Sequence, residues 1–311
     1  MRSGSVLRSG FIALSQNRQM RAFSERSAVG KKLSGRFVAG MTVEEALAAC
    51  EHLNREGISV TLDSLGESVT VESQARASAD IYHQLLDAIE VRGLNANVSV
   101  KLTQVGMDID PALAERIVGE MVEHAARVNS FVRIDMEGSA YTEATVAMTE
   151  RLHARPGMRG RVGTVLQAYL YRSADDAKRM VEQGIRIRLC KGAYKEPAEL
   201  AFPGKRDVDA NYVALMMYLA SSGVFCGIAT HDEAIVNQMR RFVEGTGLPK
   251  AAFEFQMLYG IRRDLQRQLK RDGFGVRVYL PFGGEWYPYF MRRLAERPAN
   301  VLFLAKNFFK S

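Results

Sequence analysis

The chain has 311 residues, 47% of them apolar and 25% charged, which is enough for a sizeable core and is balanced as in an ordinary globular enzyme. Three cysteines, Cys50, Cys190 and Cys226, form no CxxC pair, which argues against a structural zinc site or a disulfide framework and favours a reducing cytoplasm. The formal net charge of +7 is carried by residues 1–37, where eight Lys/Arg stand against one acid, so the rest of the chain is neutral and no basic nucleic-acid groove is implied.

In chain order, a basic tail over 1–37 comes first. Leu7, Phe11 and Leu14 fall at helical spacing among arginines and serines, as in a transit peptide or a surface-seeking amphipathic helix. A helix docked on its own domain, or a loose terminus, explains the same pattern more simply. Thr42 then caps a helix over 43–54 that Gly57 ends. Short β-branched and apolar segments follow near 58–62, 97–101, 131–135, 163–167, 185–189, 224–229, 252–256 and 275–279, with amphipathic helical stretches between them. Their spacing is too wide for hairpins and right for helical crossovers. Residues 212–230 lack charge for long enough to imitate a membrane span, but Ser221-Ser222-Gly223 at the centre reads as a helix stop before a buried strand.

Eight strands alternating with helices predict a single α/β domain over 38–311, a (β/α)8 barrel with extra N-terminal helices. An open doubly wound sheet is the alternative, disfavoured because neither G-x-G-x-x-G nor G-x-x-x-x-G-K-[ST] is present. Reading every second residue places Lys101, Asp135, Gln167, Arg188, Gln256 and Tyr279 at the last inward positions of six strands. Ser99, Arg133, Val165, Arg186, Glu254 and Arg277 lie one layer below. The lower layer reads as structural, with Glu254 neutralising Arg133, Arg186 or Arg277, because an unpaired buried charge is too costly to keep. The upper layer faces the end where barrel enzymes hold their substrates, so Lys101, Asp135, Gln167, Arg188 and Tyr279 are functional candidates by position. The five histidines show no HExxH or paired spacing, and no metal site is expected.

Four segments in order, Val98-Ser99-Val100-Lys101-Leu102, Arg133-Ile134-Asp135-Met136-Glu137, Arg188-Leu189-Cys190-Lys191-Gly192-Ala193-Tyr194 and Tyr279-Leu280-Pro281-Phe282-Gly283 with Tyr289, Arg292, Arg293, Glu296 and Asn300 beyond it, resemble the proline dehydrogenase family. Lesser matches are Gln167-Ala168-Tyr169, Thr230-His231-Asp232 and Phe253-Glu254-Phe255-Gln256. The resemblance implies a distorted barrel that holds FAD without a Rossmann domain, oxidises L-proline to 1-pyrroline-5-carboxylate and passes electrons to a membrane quinone. It implies that Arg188 faces the flavin near its reactive nitrogen, that Gln167 bonds the pyrimidine edge and that Met136 contacts the cofactor. Lys191, Gly192 and Ala193 would line the ribityl and phosphate path, Thr230 and His231 would serve the adenine-nucleotide half, and Glu296 would lie near a ribose hydroxyl.

Lys101 and Asp135 resemble the family's proline-site ion pair, and Tyr194, Leu258, Tyr279 and Tyr289 would wall the pyrrolidine ring. The planar forks of Arg292 and Arg293 suit the substrate carboxylate. Glu67 matches a family acid that pairs with the first of these arginines to close the site, and loop capping is an equal reading of it. Lys195 departs from the tryptophan usual in long bifunctional members, and the loop from Gly283 to Tyr289 is shorter, as in the monofunctional bacterial branch. A cytoplasmic enzyme with peripheral contact on the inner face of a membrane is expected, acting on proline and not on nucleic acid. The competing readings are a flavin barrel for hydroxyproline or another small secondary amine, and a basic-tailed scaffold that binds lipid or nucleic acid without catalysis.

Overall fold

The computed structural model describes residues 35, 37–287, 289 and 291, so nearly all of the basic tail, together with Arg292, Arg293 and Glu296, lies outside the described residues. Eight strands, β1 (Ser59–Ser64), β2 (Ala96–Val100), β3 (Val132–Ile134), β4 (Val162–Gln167), β5 (Arg186–Cys190), β6 (Cys226–Ala229), β7 (Phe253–Leu258) and β8 (Gly275–Phe282), pair in sequence order as a closed barrel, every pair parallel. The helices that connect them are α2 (Glu72–Val91), α3 (Pro111–Arg127), α4 (Ser139–Ala154), α5 (Ser173–Glu182), α6 (Lys205–Ser221), α7 (Glu233–Thr246) and α8 (Arg263–Arg271). One further helix, α1 (Val43–Arg55), precedes β1 and carries the expected cap: Thr42 Oγ1 accepts from Glu45 N at 3.2 Å while Glu45 Oε2 accepts from Thr42 N at 3.1 Å.

Alternation places Val60, Leu62, Val98, Val100, Ile134, Ile187, Leu189, Ile228, Phe255 and Val278 between strands and helices in one continuous buried core. The uncharged stretch 212–230 divides as expected into the end of α6, a turn and β6. No helix among the described residues is long and apolar enough to cross a membrane.

Inside the barrel the lower layer is sealed by polar contacts. Arg277 Nε bonds Glu254 Oε1 at 2.6 Å, and its Nη1 reaches Val60 O at 2.8 Å and Asn97 Oδ1 at 2.9 Å. Of the three arginines read as partners for Glu254, Arg277 is the one that takes it. Arg133, 5% exposed, has no carboxylate partner among the described residues; its Nη1 donates to Thr164 O at 2.9 Å and Arg186 O at 3.0 Å, and the guanidinium lies over the Phe131 ring at 4.8 Å. Carbonyl dipoles and a ring face thus replace the carboxylate that the alternation argument required. Arg186 is exposed at the amino end, stacked against Phe131 and Phe225, and so is not a buried layer residue. Gln256, assigned to the upper layer, turns downward, its Nε2 on Glu254 Oε1 at 2.7 Å.

Two inward positions must be glycine for this packing. A Cβ on Gly227 would stand 2.3 Å from the Gln256 amide nitrogen, and one on Gly163 would stand 2.2 Å from the carbonyl oxygen of Arg186. The second obstacle is backbone and cannot swing aside. Gly163→Ala is therefore expected to destabilise by about 3 kcal/mol, at the top of the range for overpacking, read as a lowered urea midpoint.

Candidate active site at the carboxyl rim

Four of the residues selected by position converge on one cluster. Asp135, just past β3, is its centre: Oδ1 accepts from Ser99 Oγ at 2.6 Å and from Arg188 Nη2, while Oδ2 accepts from the Tyr279 hydroxyl at 2.7 Å. Arg188 also donates to Ser99 Oγ at 3.1 Å, and its guanidinium lies over the Tyr279 ring at 5.0 Å. Lys101 Nζ stands 3.8 Å from Asp135 Oδ2, the pairing expected. Its nearer partner is Asp63, both of whose carboxylate oxygens lie 3.3 Å from Nζ.

Asp63 was missed. The sequence reading ended the first strand at 62 and placed Asp63 in the following loop, whereas β1 runs to Ser64 and Asp63 is a fully buried strand residue. The available signal was the alternation itself: Thr61 bonds Asn97 across the interior, and two residues on is Asp63. Ser99, read as structural, is a direct partner of Asp135 and Arg188.

Two carboxylates and two cations make this cluster formally neutral, but the acids are not equivalent. Burial alone would raise the Asp135 carboxyl, yet Arg188 and Lys101, aided by the Ser99 and Tyr279 donors, hold it below the ordinary range. Burial pushes Asp63 up to about 6, with Lys101 opposing the rise and Asp135 adding to it. Burial disfavours the Lys101 ammonium, and the carboxylates of Asp63 and Asp135 more than reverse that. Burial and the two carboxylates keep Tyr279 well above the ordinary phenol value, so it is a neutral donor.

The other expected residues fall around this centre. Met136 is buried next to Asp135, and Gln167 at the end of β4 donates from Nε2 to Glu137 O at 2.9 Å, which fixes its amide. Glu137 is anchored in turn by Thr103, through its backbone nitrogen at 3.1 Å and its hydroxyl at 2.7 Å. Beyond β5, Lys191 Nζ bonds Asp209 at 2.5 Å and Asp232 at 3.1 Å. Gly192 (φ +116) lies so close to Tyr169 that a Cβ would stand 2.4 Å from the ring. Ala193 and the exposed Tyr194 follow on the same loop.

Thr230 Oγ1 accepts from Asp232 N at 3.1 Å, and His231 Nε2 accepts from Leu258 N at 2.9 Å, which ties the ends of β6 and β7 together. Glu67 is half-buried in the loop after β1, near enough for its charge to raise Lys101 further. Tyr289 is buried in a satellite cluster with Phe37, Val38, Leu65, Trp286, Tyr287 and Met291. Arg292, Arg293 and Glu296 lie outside the described residues.

One atom tests whether these residues suit a flavin. Arg188 Nε is buried without a hydrogen-bond partner, an expensive omission for a guanidinium donor unless a ligand atom meets it. A fixed cation with a donor to spare, beside the oriented Gln167 amide, is what a ring that becomes electron-rich on reduction requires. The residues therefore fit FAD.

Removing the centre should cost far more than removing one of its donors. Asp135→Ala leaves Arg188 without its carboxylate and is expected to destabilise by about 3–5 kcal/mol. Tyr279→Phe removes one hydrogen bond and should cost about 1 kcal/mol. Chemical unfolding of the two variants side by side measures the ratio.

Comparison with known proteins bears on the family and the fold. The sequence model of the family described as "Proline dehydrogenase" matches residues 46–306. Proline dehydrogenase 1 of Bacillus subtilis (strain 168) is 40% identical over 306 residues, 98% of this chain and 100% of that protein. The proline dehydrogenase of Deinococcus radiodurans is 42% identical over 285 residues, 89% of this chain and 90% of that one. Among solved structures, proline utilization A from Bdellovibrio bacteriovorus inactivated by N-propargylglycine matches with a TM-score of 0.82 at 23% identity, covering 93% of this chain and 36% of that one, which bears on the fold alone. A proline utilization A structure described with proline bound in remote sites matches at 0.74 and 25% identity, over 87% of this chain and 31% of that one. The chain thus spans about a third of the length of those larger proteins. With the family match running through every strand of the barrel, and relatives of similar length sharing two residues in five, this chain belongs to the proline dehydrogenase family.

Proposed function

We propose that this protein oxidises L-proline to 1-pyrroline-5-carboxylate at the carboxyl rim of the barrel, using FAD. The observation that carries the reading is the buried Arg188, clamped by Asp135 and Ser99 with one guanidinium donor left over. FAD, when bound, supplies the hydride acceptor for the ring carbon next to the substrate nitrogen.

The protein's own residues do the rest. Arg188 keeps its proton at any working pH and so offers a permanent positive charge where negative charge develops. Asp135 fixes the direction of that guanidinium and, with Tyr279, closes the space beneath the substrate. Tyr194, Leu258 and Tyr279 bury the methylenes of the pyrrolidine ring and exclude water from the reacting carbon. Arg292 and Arg293 take the substrate carboxylate, which their planar guanidinium forks can bind in a bidentate way. Lys191, Gly192, Ala193, Thr230, His231 and Glu296 serve the ribityl, phosphate and adenosine parts of the cofactor. A lipid-soluble quinone receives the electrons, which brings the protein to a membrane surface as a peripheral visitor.

Anaerobic addition of L-proline to the yellow holoenzyme tests the reading: bleaching is expected, with 4-hydroxyproline poorer by at most about a hundredfold, because apolar walls reject an added hydroxyl weakly. A colourless protein that does not take up FAD, or a flavin untouched by proline, overturns it. Glu67 closes the site over the substrate by meeting the first arginine. Glu67→Ala should raise the KM for proline several-fold with little change in kcat, and an unchanged KM removes that role.

A further inference from the structure

After β5 ends at Cys190 the chain does not pass straight to α6. Glu196 crosses the end of β4, the neighbouring strand, and reaches the start of α4 behind β3, where its carboxylate accepts from Ser139 N at 2.8 Å and from the Ser139 hydroxyl. The chain then returns to the segment after β4. Tyr171 N donates to Leu200 O at 3.1 Å and Phe202 N to Tyr169 O at 2.8 Å, with an antiparallel bridge between Leu170 and Ala201. One carboxylate thus ties together the ends of three adjacent strands.

The contact reaches further than the helix it caps. Tyr169 is buried, and its hydroxyl donates to Glu196 Oε1 at 3.5 Å while accepting the backbone N–H of Tyr194. Glu196 therefore orients the hydroxyl that holds the Tyr194 backbone. The same ring lies against Gly192, whose φ of +116 and close approach leave no room for a side chain. On the other side, Ser139 follows Glu137, whose carbonyl oxygen accepts from Gln167 and whose carboxylate is held by Thr103. Gly138, the N-cap residue of α4, has no side chain to accept from Ser139, so the loop itself must bring the acceptor.

We propose that Glu196 is a positioning residue for the rim, holding the loop of residues 191–196 against the barrel through Ser139 and the Tyr169 hydroxyl. Tyr194 is then in place as a wall of the substrate pocket, and Lys191, Gly192 and Ala193 are ordered along the cofactor path before either molecule arrives. For its substrate half this rests on the rim being a proline site. Glu196 need not touch proline or cofactor to act. It removes an ordering cost that binding would otherwise bear, so its loss should weaken affinity and leave the chemical step alone.

In the full chain without FAD, Glu196→Ala is expected to lower the urea midpoint. It should also raise the Kd for FAD, read from flavin fluorescence, and the KM for proline each about tenfold, as for a lost charged cap, with kcat nearly unchanged. A helix cap alone predicts something different, and Gly138→Ser added to that variant separates the two. The serine gives α4 a cap of its own: φ at Gly138 is −60, and a Cβ there meets only Glu196 Oε1, at 3.6 Å, an atom the variant lacks. The midpoint should recover while Kd and KM stay raised. Recovery of all three reduces Glu196 to a helix cap and overturns the proposal, as does a Glu196→Ala variant whose Kd and KM match the parent's. Should the serine fail to restore the midpoint, Tyr169→Phe decides, because it keeps the ring against Gly192, leaves α4 alone and deletes the hydroxyl between Glu196 and Tyr194. A KM raised several-fold then supports the positioning role, and an unchanged KM removes it. A parent flavin that proline never bleaches sinks the functional reading instead, and the FAD measurements still judge Glu196.

Discussion

The ion pair between Arg188 and Asp135 is the constraint around which the upper half of the barrel is arranged. Two charges cannot be held away from water unless each is met from several directions, because the loss of hydration outweighs a single Coulomb contact. The sequence meets that demand with residues far apart in the chain: Ser99 on β2, Tyr279 on β8 and Lys101 just past β2 all address Asp135. Lys101 brings in Asp63, which balances the charge of the group. The cluster holds together only once the barrel has closed, since β1 and β8 must pair before Tyr279 and Asp63 can share a space.

Below that cluster the interior is purely architectural. Arg277, Glu254, Gln256 and Asn97 satisfy one another and the Val60 carbonyl, and Arg133 spends its donors on backbone oxygens. The division has a physical basis. Polar groups that satisfy one another inside the protein have little to offer a ligand, whereas Arg188 keeps its Nε donor in reserve.

The loop after β5 shows the same economy outside the barrel. Lys191 is held by two acids from α6 and the start of α7, Gly192 lies against the Tyr169 ring, and Glu196 reaches across to α4, where its carboxylate accepts from Ser139 N at 2.8 Å and from the Ser139 hydroxyl. Gly138, at the N-cap of that helix, has no side chain to offer, so Glu196 supplies the missing acceptor from another part of the chain. Ala193 and Tyr194 are suspended between these anchors. Loops that carry functional residues need such fixing, because an unanchored segment would pay its ordering entropy on every binding event.

The order of the elements, their type and the inward parity of six strands were legible in the sequence, because a period of two and crossover-length spacing are local properties that survive without knowledge of partners. Lys101, Asp135, Arg188 and Tyr279 could be selected by that parity alone. What the sequence could not settle was which charge meets which. Three arginines were equally plausible mates for Glu254, and Gln256 was free to turn up or down until Gly227 opened the space beneath it. Asp63 was hidden by a two-residue error in where β1 ends, an error local propensity does not correct because the strand's length is set by pairing with β8 as far as Phe282. The pattern of residues determined a barrel with a polar rim; only closure of the sheet, which fixes register and brings distant strand ends within hydrogen-bonding reach, decided how those polar groups are partnered.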